Sequence, residues 1–162
     1  MRKGFIWLSI LALLSIGAFA QEQTIGLTVN VEAFFSYSLT FGVTSVEITP
    51  PRPPSWGRMT GSGPFSSTCD ILTSYEAVQL QWKADNLVSG GDTIPCGQIY
   101  ILGTGDFAVG LTKCNASYGA IANWTAGLDA QKVGTLELRY EEGEDDPLGV
   151  YTTTIYFKCV AL

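Results

Sequence analysis

The chain has 162 residues, with 15 acidic against 9 basic side chains, four cysteines and no histidine. Its length suits one ordinary domain, and the missing histidine excludes Ser-His-Asp and Cys-His catalysis. The acidic balance argues against nucleic acid as a partner, because phosphate backbones attract Lys and Arg.

Arg2 and Lys3 open the chain, an apolar run follows from Phe5 to Ala20, and Ala18-Phe19-Ala20 ends it just before Gln21-Glu22-Gln23. A basic start, a short apolar middle and a small-residue exit make up a secretory signal peptide, with cleavage expected after Ala20. The apolar run is shorter than the roughly 20 residues a membrane-spanning helix requires. It carries no acid of the kind a type IV pilin leader holds, and no cysteine for a lipid anchor. No later segment reaches transmembrane length, so no membrane span is expected after cleavage. The expected location is secreted, periplasmic or at the cell surface. Residues 21–162 would form the mature domain, with 7 basic against 15 acidic residues and a charge of −8.

Alternation of apolar and polar residues dominates the mature part, as in half-buried strands. Thr24 to Val31 alternates cleanly, with Ile25, Leu27, Val29 and Val31 on one face. Phe34–Phe41 is a second apolar segment, and Val43, Val46 and Ile48 suggest a short third. Pro50, Pro51, Pro53 and Pro54 then break any ladder, since proline has no N–H to donate. Residues 49 to about 67 read as a long Pro/Gly-rich loop.

Tyr75–Ala84 resumes the alternation, with Val78, Leu80, Trp82 and Ala84 inward and Gln79, Gln81 and Lys83 outward. Asn86–Asp92 is turn chemistry and Ile99–Leu102 a short strand, while residues 115–132 are weakly patterned around Trp124. Val133–Tyr140 is a strand with Leu136, Leu138 and Tyr140 inward. Glu141–Pro147 reads as a solvated acidic turn, and Val150–Val160 as the last and longest strand. Many short strands with frequent Gly/Pro turns and no helical periodicity predict an all-β chain, a single immunoglobulin-like antiparallel β-sandwich.

Cys69, Cys96, Cys114 and Cys159 all lie in the mature part. An even number in an exported chain implies two disulfides, and sequence leaves all three connectivities open. Without histidine or a C-x-x-C pair, a zinc site is not expected.

Two stretches carry a resemblance. One is Ala84-Asp85-Asn86-Leu87-Val88-Ser89-Gly90-Gly91-Asp92-Thr93-Ile94-Pro95. The other runs from Gly134-Thr135-Leu136-Glu137-Leu138-Arg139-Tyr140 through the acidic insert to Leu148-Gly149-Val150-Tyr151-Thr152-Thr153-Thr154-Ile155-Tyr156-Phe157. They resemble the "S-G-x-x-T-I-P" segment and the closing hairpin of exported prokaryotic immunoglobulin-like surface proteins, such as spore coat U domains and fimbrial subunits. The resemblance implies a structural or adhesive cell-surface role, with copies of itself or other envelope proteins as partners.

No catalytic residue, metal or cofactor is expected. Asp70, Asp85, Asp92, Asp106 and Asp129 have a backbone reason to sit in turns, and the Glu141–Asp146 run lacks calcium-loop spacing. Ile25, Leu27, Val29 and Val31 are candidate anchors of a strand donated to a neighbouring subunit, the alternative being that this strand completes its own sheet. A small carbohydrate-binding module is the other functional expectation, with Trp56 and Trp124 as the ligand-binding aromatics. Asn115 and Asn123 begin glycosylation sequons, meaningful only in a host that modifies them.

Overall fold

A computed structural model describes residues 32–52, 54–125 and 129–162. The expected signal peptide and the anchors Ile25, Leu27, Val29 and Val31 lie outside the described residues. Among the described residues eleven strands and one 3-10 turn follow in order: β1 Phe35–Phe41, β2 Met59–Gly61, β3 Phe65–Thr73, β4 Ala77–Ala84, β5 Leu87–Ser89, β6 Asp92–Ile94, η1 Cys96–Gln98, β7 Ile99–Gly105, β8 Val109–Lys113, β9 Gly119–Thr125, β10 Asp129–Glu141 and β11 Ile155–Ala161. The larger sheet has the order β1-β3-β10-β7-β8, with β2 alongside the far end of β10. The second sheet is β11-β4-β9, and β5 and β6 form a small separate hairpin. Every pairing is antiparallel. This is the all-β sandwich the alternation predicts.

The inner faces follow from the period of two. Val78, Leu80, Trp82 and Ala84 of β4 are buried, as expected, and face Ile99, Ile101, Leu136 and Leu138 from the larger sheet in one continuous core. Each fully buried aliphatic side chain of this kind stabilises the fold by about 1.5–3 kcal/mol. Aromatic rings close one side, where Phe41 of β1 meets Phe157 of β11 at 4.8 Å between ring centres. Toward the other side, Phe107 packs edge-on against Trp124 at 5.3 Å. Phe107 fits because β7 and β10 are stripped of side chains beside it. Gly105 faces Gly134 across the ladder, and Gly105 has a φ of +67°, which disfavours any other residue. A methyl group on Gly134 would run into the Thr104 carbonyl and the Phe107 ring.

Four expectations need correction. No strand forms at Val43–Ile48; Val43 and Val46 are exposed there, and only Ile48 packs on the core. The irregular loop ends at Arg58, well short of residue 67, and β3 is a central strand. Its inward positions are Phe65, Ser67, Cys69, Ile71 and Thr73. Two small hydroxyl residues among them break the apolar alternation that would have revealed it. Residues 115–132 hold β9 and the start of β10, the longest strand at 13 residues, whereas β11 has only 7.

The fourth correction concerns the closing hairpin. β10 belongs to the larger sheet and β11 to the smaller, so the acidic segment between them is a crossover. Its path is fixed by polar contacts. Thr152 exchanges two backbone hydrogen bonds with Val88, of 2.9 and 3.0 Å, and Asp85 N–H donates to the Thr154 carbonyl at 3.1 Å. The chain is thereby handed to β4, against which β11 then pairs from Ile155 onward.

Candidate functional site

The cysteines are brought together in two pairs. Cys69 of β3 and Cys159 of β11 sit on opposing sheets with their sulfurs 3.7 Å apart in the buried core. That distance is longer than the roughly 2.05 Å of a disulfide, and all four cysteines are free thiols in the structure. Cys96 in η1 lies against Cys114 just after β8, and both are buried. As a thiol, Cys114 is pushed up to about 11, first by burial and then by its neighbour Cys96. Mutual hydrogen bonding raises the Cys159 thiol and lowers that of Cys69.

The acidic segment is a solvated turn only in part: Glu144 and Asp145 are exposed, whereas Glu141, Glu142 and Asp146 are tied into the fold. Glu142 is only 5% exposed. Its carboxylate accepts the Arg58 guanidinium at 2.7 Å and the Ser55 N–H at 3.1 Å. Its backbone pairs with Gly57 and Arg58, which clips the Pro-rich loop to the end of β10. Asp146 accepts the Tyr140 hydroxyl, the Gln98 amide at 2.9 Å and the Gly143 N–H at 2.5 Å. Burial pushes the Asp146 carboxyl up, but these three hydrogen bonds outweigh it and hold it below the ordinary value. Tyr140 is raised in turn, by burial and then by its bond to Asp146. Tyr100 donates to Glu141 at 2.5 Å. These acids serve as clamps within the fold.

The two candidate tryptophans part company. Trp56 is 77% exposed, at the tip of a tight turn closed by Arg58 N–H donating to the Ser55 carbonyl at 3.0 Å. Gly57 follows it with a φ of +72°, as a type II turn requires. Trp124 is 6% exposed, and its indole N–H donates to the Asp106 carbonyl at 2.6 Å. Its ring faces the core, so the expectation that it binds a ligand is corrected: the register of β9 turns it inward. Asn115 and Asn123 are both exposed.

One surface feature escapes the sequence entirely. On the outer face of the smaller sheet, Lys83 lies opposite Tyr156 and Gln81 opposite Lys158, while Gln79 lies opposite Asn123. The Lys83 ammonium sits 4.7 Å from the Tyr156 ring centre and 5.3 Å from that of Tyr118, and Lys158 sits 4.1 Å from Tyr118. Gln81 donates to Gln79 at 2.6 Å and Gln79 to Asn123 at 2.9 Å. The Tyr156 hydroxyl donates to Asp85 at 2.8 Å. No sequence window contains this cluster, because register alone assembles it from three strands.

Compared with known proteins, the chain matches no family model and no curated sequence.

Proposed function

We propose that the chain is an exported, non-catalytic structural or adhesive component of the cell surface that assembles with copies of itself or other envelope proteins through its N-terminal strand. The observation that carries this reading is the buried Cys69–Cys159 pair, whose sulfurs meet at 3.7 Å between the two sheets. A disulfide there clamps the sandwich, and such clamps persist in oxidising compartments outside the cytoplasm. Export is in keeping with the basic-apolar-small leader that precedes the domain.

Assembly draws support from the edges. Among the described residues, β1 pairs only with β3 and β11 only with β4, so each edge leaves a row of backbone groups that an added strand can take. The alternating anchors Ile25, Leu27, Val29 and Val31 have the period such a strand needs. The test compares the oxidised mature chain with one lacking residues 21–31, by native sizing and unboiled non-reducing gels. The full mature chain is expected to form a ladder of multimers that the shortened chain, still folded, does not. A full chain that stays monomeric at every concentration overturns the assembly reading.

A further inference from the structure

We propose that the outer face of the β11-β4-β9 sheet is a binding site for acidic polysaccharide, with Lys83 and Lys158 taking the anionic groups and Gln79, Gln81 and Asn123 the sugar hydroxyls. The proposal deepens the adhesive half of the function above and does not depend on strand exchange.

Charge comes first. The mature chain carries −8, yet this face presents two ammonium groups side by side. Among the described residues neither has a carboxylate within ion-pair distance, the ion pairs there being Arg58–Glu142 and Arg139–Glu137. The Asp85 carboxylate at the end of the face is turned onto the Tyr156 hydroxyl. Tyr118 and Tyr156 hold the lysines by their ring faces, which orients a cation without neutralising it. The same contacts occupy ring surface that a neutral sugar would stack on, which favours a charged ligand.

The amides supply the rest. The chain from Gln81 through Gln79 to Asn123 runs in one direction. It leaves the Gln81 Oε1 acceptor and the Asn123 Nδ2 donors without protein partners among the described residues. The groups are already ordered by one another, so little side-chain freedom remains to be lost on binding. From Gln79 to Lys83 the face spans about 13 Å at roughly 3.3 Å per residue, the length of a short oligosaccharide. Carboxylate and sulfate groups offer the same chemistry to lysine, and the choice of probe separates them.

The experiment is affinity electrophoresis of the oxidised mature chain through gels containing polygalacturonate, dextran sulfate or neutral dextran, at low and high salt. Retardation is expected with an acidic polymer and not with neutral dextran, and it should weaken as salt screens the lysines. Retardation by polygalacturonate alone assigns carboxylate; retardation by dextran sulfate alone assigns sulfate. The K83Q/K158Q variant should bind at least about tenfold more weakly. Asn123→Ala should also weaken binding, whereas Lys113→Gln, on the other sheet, should not. The site is overturned if no acidic polymer retards the chain or if neutral dextran retards it equally. It also falls if K83Q/K158Q binds as the parent does, or if Lys113→Gln weakens binding as much. A ladder of multimers without polysaccharide binding removes this site alone; binding by a chain that never forms a ladder removes only the assembly reading.

Discussion

Trp124 shows how much a single register decides. Two positions back along β9, where Ala122 is buried, the side chain would still face inward; one position away, where Asn123 and Thr125 are exposed, it would be the exposed aromatic that sugar binding calls for. As it stands, the ring fills the space beside Phe107 and its N–H is satisfied by the Asp106 carbonyl. Trp124→Ala therefore removes a large buried group and leaves that carbonyl without its donor. It should lower stability by about 3–5 kcal/mol, read as a fall in the thermal or urea midpoint. Polysaccharide binding by the fraction that remains folded should be unchanged. Loss of binding at full stability would mean that the ring reaches the ligand after all. Ser67 is the opposite case, a small hydroxyl sealed in the core of β3 with no hydrogen-bond partner among the described residues.

At the scale of elements, the crossover between β10 and β11 is held in part by the Asp146 carboxylate. Asp146 is held below the ordinary carboxylate value of 3.8. Its contribution to stability is complete above that value and is lost as pH falls through the lower folded one. Asp146→Asn should therefore cost about 1 kcal/mol at neutral pH, the worth of a partly exposed charge-assisted cluster. The gap between variant and parent should close on acidification below the ordinary value, and urea melts across acid pH would show it. A gap that stays constant would assign the effect to geometry, not charge.

The same element explains what the sequence conceals. β4 was readable because Val78, Leu80, Trp82 and Ala84 are apolar without a break, and β1 because its aromatic run is dense. β3 was not, since Ser67 and Thr73 point inward where the pattern needs apolar residues. Nor could the acidic run be told from a solvated turn. What buries Glu142 is Arg58, 84 positions earlier, and nothing local to either residue records that pairing. The Lys83–Tyr118–Lys158–Tyr156 cluster is hidden for the same reason.

At the scale of the whole molecule, the two cysteine pairs, free thiols in the structure, would on oxidation divide their labour by the length of chain they close. Cys69 and Cys159 are 90 positions apart and face each other from the two sheets, whereas Cys96 and Cys114 lie in η1 and just after β8. Once oxidised, restricting the unfolded chain over the longer loop would contribute about 4.5 kcal/mol, against about 3 kcal/mol for the shorter. Non-reducing peptide mapping of the native protein should recover Cys69–Cys159 and Cys96–Cys114 as the only linkages. The C69A/C159A variant should then lose more stability than C96A/C114A, and a reductant should bring the parent toward the sum of the two. Because β1 and β11 meet along one side of the sandwich, loss of the longer link should also loosen those edges. Multimers should then dissociate more readily, even with residues 21–31 intact. A map showing crossed linkages, or a parent indifferent to reductant, would remove the clamp and with it the main support for a life outside the cytoplasm.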